Sequence, residues 1–360
     1  MLVEMAKPLA KLVALLTPKR RWAQFSLATM FVVVTVLCVS LSVVVNRAHR
    51  QRDAVAAIEA LGGRVYYVKP DQNATEAFPR RFLRSRLPRD YFDEVRYVDF
   101  WSTFDLTDAG LARLQDLTGL QELRLGGPEI TDAGLAYLHR LPGLQYLRLY
   151  LSDTQVTDAG LAHLRGLTGL QVLHLDGTQV TDAGLPHLQG LSGLKSLNLS
   201  STQVTGVGLA HLDGLTALQV LDLGGTQVSD AGLAHLQGLT GLQELHLDGT
   251  PVTDAGMAHL QGLASLRRLS FSRTQVTDTG LAQLQVLTRL EWLWLKRSQV
   301  TDAALAQFRQ ALPNCRINWL WPVGYPLGRG LSLDPRASRV GSVGQATTID
   351  FPRGEPIDGP

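Results

Sequence analysis

The stretch "QVTDAGLAHL" at residues 155–164 decides the fold, because it returns along the chain with small changes. Three further copies are "QVTDAGLPHL" at 179–188, "QVTGVGLAHL" at 203–212 and "QVSDAGLAHL" at 227–236. The Thr of this element, once replaced by Ser, falls at positions 107, 131, 157, 181, 205, 229, 253, 277 and 301. The period is 24 residues except from 131 to 157, where it is 26 and the extra pair lies within "RLYLSDTQ". A fixed period of about 20–50 residues predicts a solenoid.

Residues 170–193 show how each unit is expected to fold. Leucines at 170, 173 and 175 predict a short strand, and Gly177 begins a turn. Thr181 fits a helix N-cap, where its hydroxyl accepts a free amide hydrogen bond, and Asp182 faces the positive end of the helix dipole. Gly184 removes a side chain where a neighbouring unit approaches closely. The leucines that follow at spacing three predict a short outer helix whose apolar edge faces inward.

The recurring Thr, Asp and His are residue types that catalytic sites use, but a catalytic site is needed only once. The Thr–Asp pair recurs wherever a helix must begin, and one copy has Gly206 in place of Asp. We therefore interpret the motif as structural and predict that the protein is not an enzyme and needs no cofactor or metal. The outer helices also carry a column of histidines, His163, His187, His211, His235 and His259. These histidines are too far apart to bind one metal ion, but the surface that they form could become cationic near pH 6.

These units resemble the leucine-rich repeat family. The family frame L-x-x-L-x-L-x-x-N-x-L appears as "LQVLHLDGTQV" at 170–180, with Thr in the Asn column. Thr can form fewer hydrogen bonds than the Asn of the family, and Pro128 and Ser298 depart from the column at its two ends. The Thr column comprises Thr154, Thr178, Thr202, Thr226, Thr250 and Thr274.

The resemblance covers residues 95–319 and implies an α/β solenoid: a right-handed coil of short parallel strands and convex helices. Members of the family mostly bind proteins through the concave sheet. The helical half, "VTDAGLAHL", looks like repeats of ubiquitin-ligase adaptors and of related bacterial proteins. The whole layout is similar to membrane-anchored bacterial leucine-rich repeat proteins with TDAGL-type repeats, so we expect a place in the bacterial envelope.

Residues 25–45, "FSLATMFVVVTVLCVSLSVVV", contain no charged side chain. As a helix they would span roughly 31 Å, which matches the hydrocarbon core of a bilayer. A buried helix and a cleaved signal peptide are the alternatives, but "VVVNRAHR" offers no small-x-small cleavage site. Five basic residues precede the segment and four follow closely. This bias favours a cytoplasmic N-terminus and repeats in the periplasm or outside the cell.

Five segments follow from these patterns. We predict a cytoplasmic basic tail at 1–24, a transmembrane helix at 25–45, and a juxtamembrane helix with an N-terminal cap at 46–94. Residues 95–319 form the leucine-rich repeat domain. Residues 320–360 are rich in Pro and Gly and predict a disordered tail. Within the cap, "RAHRQRDAVAAIEALGG" predicts a helix that ends at Gly62 and Gly63, and "RVYYV" predicts a strand.

Composition excludes several classes of function. The chain has 34 Lys and Arg against 32 Asp and Glu, without the basic excess that dedicated nucleic-acid binders show. Two cysteines, Cys38 and Cys315, cannot supply a disulfide framework or a zinc site of the usual spacing. We expect neither a nucleic-acid partner nor a small-molecule substrate.

Side chains between the strand leucines should form the concave surface, and we predict that a protein or peptide binds there. Its central column is predicted to be Arg124, Arg148, His174, Asn198, Asp222, His246, Ser270 and Trp294. Trp, Tyr and Arg are the types most often found at binding hot spots. Trp292 and Trp294 have an alternative role, packing on the C-terminal cap or tail. Asp222, His246 and Asp248 form either a divalent metal site or a solvated polar patch. The candidate partner-binding residues are Arg124, Tyr146, Arg148, Tyr150, His174, Asp222, His246, Arg268, Trp292 and Trp294.

The sequence leaves three functions open. The first is a membrane-anchored scaffold that binds a protein or peptide on its concave sheet. The second is a structural spacer of the envelope or cell surface without a tight partner, which near-identical units would serve. The third is an enzyme that uses the His/Asp patch, and it conflicts with the structural interpretation of the motif.

Overall fold

The computed structural model describes residues 27–67, 93–100, 106–141 and 143–318. The predicted basic tail, most of the Pro- and Arg-rich segment before the repeats, Trp319 and the C-terminal tail lie outside these ranges. Within them the predicted leucine-rich repeat solenoid is confirmed, one strand and one helical turn to each coil.

The described strands form one 11-stranded sheet in chain order. β1 pairs with β2 in antiparallel fashion, and every later pair is parallel. Sequential parallel strands at a constant offset are the expected consequence of a coil of fixed length. The strands are β1 (Arg64–Tyr67), β2 (Val95–Asp99), β3 (Glu122–Gly126), β4 (Tyr146–Tyr150), β5 (Leu170–His174), β6 (Ser196–Asn198), β7 (Val220–Asp222), β8 (Glu244–His246), β9 (Arg268–Ser270), β10 (Trp292–Trp294) and β11 (Arg316–Asn318).

The helical side of the coils is built from short α-helical and 3-10 turns. The α-helices in the described ranges are α1 (Leu27–Ala60), α2 (Asp108–Arg113), α3 (Asp132–Leu135), α4 (Asp158–Ala162), α5 (Asp230–Leu233), α6 (Asp254–Met257), α7 (Asp278–Gln283) and α8 (Asp302–Ala311). The 3-10 turns are Leu114–Asp116, Ala136–Arg140, Leu185–Leu188, Gly208–Leu212, Ala234–Leu236, Ala258–Leu260 and Leu284–Val286. Repeats with Pro186 or with Gly206 have only the 3-10 turn.

The core consists of the leucines of each coil, stacked on those of the next. In the coil that begins at 170, seven apolar side chains have 0% exposure, and each faces the same interior: Leu170, Leu173, Leu175, Val180, Leu185, Leu188 and Leu191. This agrees with the predicted strand and inward helix edge. A coil alone leaves both flanks of this layer open to water, so the coils are stable only when stacked.

The Thr–Asp pair of the motif joins consecutive coils. Asp158 accepts hydrogen bonds from the backbone amide of Thr181 at 2.8 Å and from its hydroxyl at 2.6 Å. The Thr hydroxyl also accepts from Ala183 N at 3.2 Å, as an N-cap does. The sequence argument assigned the Asp to the dipole of its own helix, whereas both of its oxygens serve the next coil. We call this paired contact the Asp–Thr clasp.

The motif glycine belongs to the same contact. A Cβ on Gly184 would lie 2.5 Å from Asp158 Oδ1, so the neighbouring carboxylate requires glycine there, as predicted. The clasp is absent where Gly206 replaces Asp; there a Cβ on Gly206 would lie 2.7 Å from Gly232 Cα. In the described residues the other Asp–Thr clasps are Asp108–Thr131, Asp132–Thr157, Asp182–Thr205, Asp230–Thr253, Asp254–Thr277 and Asp278–Thr301.

The Thr column that replaces the family Asn stays within its own coil. The buried hydroxyl of Thr178 donates to the carbonyl of Leu175 at 2.6 Å, and Thr202 and Thr226 repeat this bond at the same distance. The turn before each Thr uses left-handed backbone, with φ of 71° at Gly177 and 56° at Ser201. Connection between coils on this side therefore depends on the backbone ladder and not on the Thr side chains.

Helix α1 is continuous across the predicted border between the apolar segment and the cap. Its apolar part is exposed, with 70% of Phe31 and 48% of Val44 accessible. From Ala48 onward one side of the helix is buried, and Ile58 has 0% exposure. The helix ends at Ala60, where Gly63 N donates to Ile58 O at 2.9 Å, as the two glycines predict. The apolar segment and the N-terminal cap of the solenoid are thus parts of one helix.

Candidate partner-binding surface

The concave surface is formed by side chains that alternate with the buried leucines of the sheet. Strand pairing arranges them in two rows that run across the coils. The first row is Arg124, Arg148, Val172, Ser196, Val220, Glu244, Arg268, Trp292 and Arg316. The second row is Gly126, Tyr150, His174, Asn198, Asp222, His246, Ser270, Trp294 and Asn318.

The 26-residue unit changes which side chains are neighbours. Sequence alignment of the units placed Arg148 beside His174, but Arg148 pairs with Val172 and Tyr150 pairs with His174. That part of the predicted column is wrong. Side-chain direction in a strand repeats every two residues, so two extra residues leave the leucines of this unit facing the core. The insertion does change which concave side chains of this unit and the next are neighbours.

Aromatic and arginine side chains dominate the N-terminal part of this surface. Tyr146 is 49% exposed, and the guanidinium of Arg124 lies 5.2 Å from the centre of the Tyr150 ring. Tyr150 also contacts His174 edge to face, with ring centres 5.0 Å apart. Arg124, Tyr150 and His174 are therefore in contact with one another, and Tyr146 lies on the same strand as Tyr150.

Two further tyrosines extend this patch and were missed in the sequence. Tyr66 of β1 stacks on Tyr97 of β2 with ring centres 4.9 Å apart. Burial and the neighbouring Asp99 raise the pKa of Tyr97 above its ordinary value. Because β1 is antiparallel and precedes the repeats, the 24-residue period could not place these residues. Their alternation with Val65 and Val98 is the signal that could have found them.

At the C-terminal end, Trp292 and Trp294 stack on each other with ring centres 5.7 Å apart and planes 10° apart. The guanidinium of Arg316, on the last strand, lies 4.9 Å from the centre of the Trp292 ring. Both tryptophans are half-buried. Trp292 thus packs partly on the last strand of the array, and packing there was the alternative to partner binding. Trp294 lies next to His246, with the ring centres 6.4 Å apart.

His246 is the centre of a polar cluster on β7 to β9. Its Nε2 is 2.8 Å from Glu244 Oε1, and its Nδ1 is 4.0 Å from Asp248 Oδ2. Arg268 donates to the second oxygen of Glu244 at 3.1 Å. Asp222 is the neighbour of His246 across the sheet. The candidates Asp222, His246 and Arg268 are thereby brought into one charged cluster.

This arrangement changes the acidity of its members. Burial acts to lower the pKa of His246, but the Glu244 hydrogen bond and the charges of Asp222, Glu244 and Asp248 outweigh it and raise the pKa. Burial acts to raise the pKa of Glu244, and its bonds with His246 and Arg268 lower it overall. Burial raises the pKa of Asp222 despite the opposing charge of His246. His246 therefore carries a positive charge over a wider pH range than an isolated imidazole.

Several imidazoles in the described residues already have polar partners. Across the described residues no three His, Cys, Asp or Glu side chains converge as a metal site requires. Both ring nitrogens of His246 already face carboxylates. Cys38 and Cys315 are free thiols. The outer histidines also pair between coils: Gln189 Nε2 lies 3.1 Å from His211 Nδ1, and Gln237 lies as close to His259.

A family match lies within the repeat array. Residues 168–228 match the family model described as "Leucine rich repeat". No curated protein matches the chain. Internalin C2 of Listeria monocytogenes is 28% identical, covering 69% of this chain and 92% of that one, with a TM-score of 0.46. Internalin F of the same organism is 22% identical, covering 57% of this chain and 69% of that one, with a TM-score of 0.39.

Proposed function

Since the repeat array is a leucine-rich repeat solenoid, we propose that this chain is a membrane-anchored scaffold that binds a protein or peptide on its concave sheet. One observation carries the proposal. The concave sheet carries half-exposed Tyr, Trp and Arg side chains, Tyr146 and Trp294 among them. A purely solvated face would favour small and charged side chains, whereas large aromatic groups gain free energy when a partner covers them.

The anchor is helix α1. In the described part of the chain it is the one helix long and apolar enough to cross a membrane, with a mean hydropathy of 2.1 in its most apolar stretch. Fifteen consecutive positions from Met30 to Val44 include eleven large apolar side chains that are 48–70% exposed, a surface that lipid would cover. The proposed topology has the N-terminus in the cytoplasm and the repeats in the periplasm or outside the cell.

The anchor and the binding domain are proposed to form one rigid unit. Ala48, only three residues beyond the apolar segment, is already buried at 3% exposure. Gln51 Nε2 donates to Asp93 O at 2.8 Å, and Arg47 pairs with Glu94 at 2.7 Å. At about 1.5 Å per helical residue, the first coils would lie within roughly 20 Å of the bilayer. This geometry favours a partner at or near the same membrane.

The proposed organisation keeps the five segments inferred from sequence, namely 1–24, 25–45, 46–94, 95–319 and 320–360, with the second and third joined by α1. We propose no enzymatic activity, cofactor or nucleic-acid partner. The recurring Asp and Thr side chains are engaged in clasps, which supports a structural role for the motif.

Site-specific photo-crosslinking in cells tests the binding proposal. A photoreactive amino acid replaces Tyr146 or Trp294 in the full-length protein, and exposed Gln261 on the helical side is the matched control position. We expect both concave positions, but not position 261, to crosslink to the same protein. Crosslinks of equal yield from all three positions contradict a concave site. A lack of crosslinks from every concave position favours the structural spacer.

Protease accessibility tests the topology. With intact cells or spheroplasts, we expect protease added outside to reach the repeats without permeabilisation of the inner membrane. Cleavage only after the cytoplasm is opened would reverse the orientation. A mature protein that lacks residues 30–45 and leaves the membrane in alkaline carbonate would identify the segment as a cleaved signal peptide.

A further inference from the structure

The C-terminal part of the concave surface already binds a guanidinium on an aromatic face. Arg316 of β11 lies 4.9 Å above the centre of the Trp292 ring. Trp292 stacks in parallel on Trp294, so the two indoles form adjacent steps. Arginine favours such contacts because its planar cation is weakly hydrated and stacks on an aromatic ring. Trp294 offers the same kind of surface two residues further along β10.

On the side of β7 to β9, Trp294 neighbours a cluster in which carboxylates outnumber cationic side chains. The Trp294 ring lies 6.4 Å from the His246 ring, across the small side chain of Ser270. Beyond it are Asp222 and Asp248, and the Asp248 side chain is 38% exposed. Together with Glu244 these are three carboxylates against two cationic side chains, His246 and Arg268.

The hydrogen bonds of the cluster leave part of this charge available. The carboxylate of Glu244 is shared between His246 and Arg268. Asp248 Oδ1 accepts from Ser270 Oγ at 2.5 Å and from Ser272 N at 2.8 Å, which holds the side chain in place without neutralising it. Asp222 Oδ1 accepts from Gly224 N at 2.9 Å. Asp222 and Asp248 are therefore held in place by neutral donors, and the nearest cation to Asp248 in this cluster is His246 Nδ1 at 4.0 Å. A cation brought by a partner would find these two carboxylates preorganised.

We propose that Trp294, Asp222 and Asp248 form a docking site for an arginine-bearing segment of the partner protein. The inference rests on the proposed concave-face function and specifies the chemistry of the partner. The guanidinium stacks on Trp294 and donates to the carboxylate of Asp248, while Asp222 adds electrostatic attraction. Lysine is a poorer ligand because its ammonium is more strongly hydrated and lacks the planar fork.

Peptide binding to the full-length protein in detergent tests the proposal. The probes are three fluorescein-labelled twelve-residue Gly/Ser peptides, each with three Arg, three Lys or three citrulline residues. Citrulline keeps the shape of Arg and lacks its charge. Fluorescence anisotropy at about 150 mM salt limits long-range attraction. We expect the Arg peptide to bind tightest, the Lys peptide more weakly, and the citrulline peptide at least about tenfold more weakly than Arg.

Paired variants locate the site. Asp222→Asn and Asp248→Asn preserve shape and hydrogen-bond acceptors, and the double variant should lose at least about tenfold in affinity for the Arg peptide. Trp294→Leu should weaken Arg binding and reduce the preference for Arg over Lys. Asp213→Asn, exposed on the helical side, removes the same charge and should leave affinity unchanged. Circular dichroism melts of every variant show that the fold is retained.

Two results would overturn the inference: citrulline binding equal to Arg, or unchanged Arg affinity in the double variant. Either result would leave the proposed binding of a partner on the concave sheet to be decided by the photo-crosslinking experiment. If Trp294 still crosslinks to a cellular protein, the concave face binds a partner of different chemistry. If neither the peptides nor the crosslinks locate a ligand there, the proposed function fails together with this site.

Discussion

Asp158 accepts two hydrogen bonds from Thr181 in the next coil, one from its amide and one from its hydroxyl. The bond lengths are nearly the same in every clasp, from 2.5 to 3.0 Å. The motif that resembles catalytic chemistry is therefore a repeated joint between coils. Gly206 interrupts it, and there the backbones of two glycines approach each other instead.

Removing one clasp should destabilise the array. Asp158→Ala leaves the amide and hydroxyl of Thr181 without their acceptor, which we expect to cost about 2 kcal/mol of unfolding free energy. Urea unfolding of the full-length protein in detergent measures it. Asp213→Ala, which removes an exposed Asp outside the clasps, should stay within about 0.5 kcal/mol of wild type. Equal effects of the two changes would mean that the clasp adds no stability.

At Gly249, in the turn before Thr250, glycine matters for its backbone conformation alone. Gly249 has φ of 69°, and a Cβ there would touch nothing closer than 3.9 Å. Gly249→Ala should therefore cost about 1–2 kcal/mol from left-handed strain. Gly262→Ala is the control, since a Cβ at Gly262 meets open space without positive φ. It should be neutral or slightly stabilising in the same urea experiment. If the two alanine variants lost equal stability, strain would not be the cause.

Stability should depend on pH through His246. Because the folded-state pKa of His246 is raised above 6.5, its contribution is complete below that pH and is lost as pH rises through the folded value. The pKa of Glu244 is lowered, so its contribution is lost only when pH falls below its ordinary value of 4.5. The unfolding free energy lost in His246→Gln should therefore be largest between about pH 5 and 6.5 and smaller at pH 8.5.

Unfolding curves of wild type and His246→Gln across this pH range provide the measurement. His235→Gln is the matched control, because His235 occupies the outer column. A pH profile shared by the two variants would show that the effect does not come from the His246 cluster. A His246→Gln difference that grows from pH 6 to pH 8.5 would contradict the ion-pair description.

The N-terminal cap should depend on the buried side of α1. Ile58→Ala creates a cavity at a fully buried position and should cost about 3 kcal/mol. Amide hydrogen exchange in β2 and β3 should accelerate first, since these strands lie next to the cap. Val43→Ala removes a side chain of the same helix that is 61% exposed, and it should leave exchange in the sheet unchanged. Slow exchange in β2 and β3 of the Ile58 variant would show that the cap does not protect them.

Much of each coil could be predicted from local patterns. The strand at 170–174, the turn at Gly177 and the N-cap bond of Thr181 follow from residues within one 24-residue unit. The ten candidate residues all lie on the strands of the concave face for the same reason. Within one unit, buried side chains recur every two residues in the strand and every three residues on the helical side, so burial can be predicted from local sequence.

Contacts between coils were harder to predict. The acceptor role of Asp158 toward Thr181, and the position of Tyr150 rather than Arg148 beside His174, join residues about one period apart. Their partners depend on the register in which one coil stacks on the next. The two extra residues in one unit change that register without changing the leucine pattern.

Local patterns in the sequence were sufficient to establish that the chain coils, how long each coil is and which side chains are buried, because leucine spacing encodes burial locally. Only the tertiary structure decided which concave side chains are neighbours, that Arg316 stacks on Trp292, and that one helix serves as both apolar segment and cap. Those features arise where separate coils pack, and packing depends on register and shape that no single repeat contains.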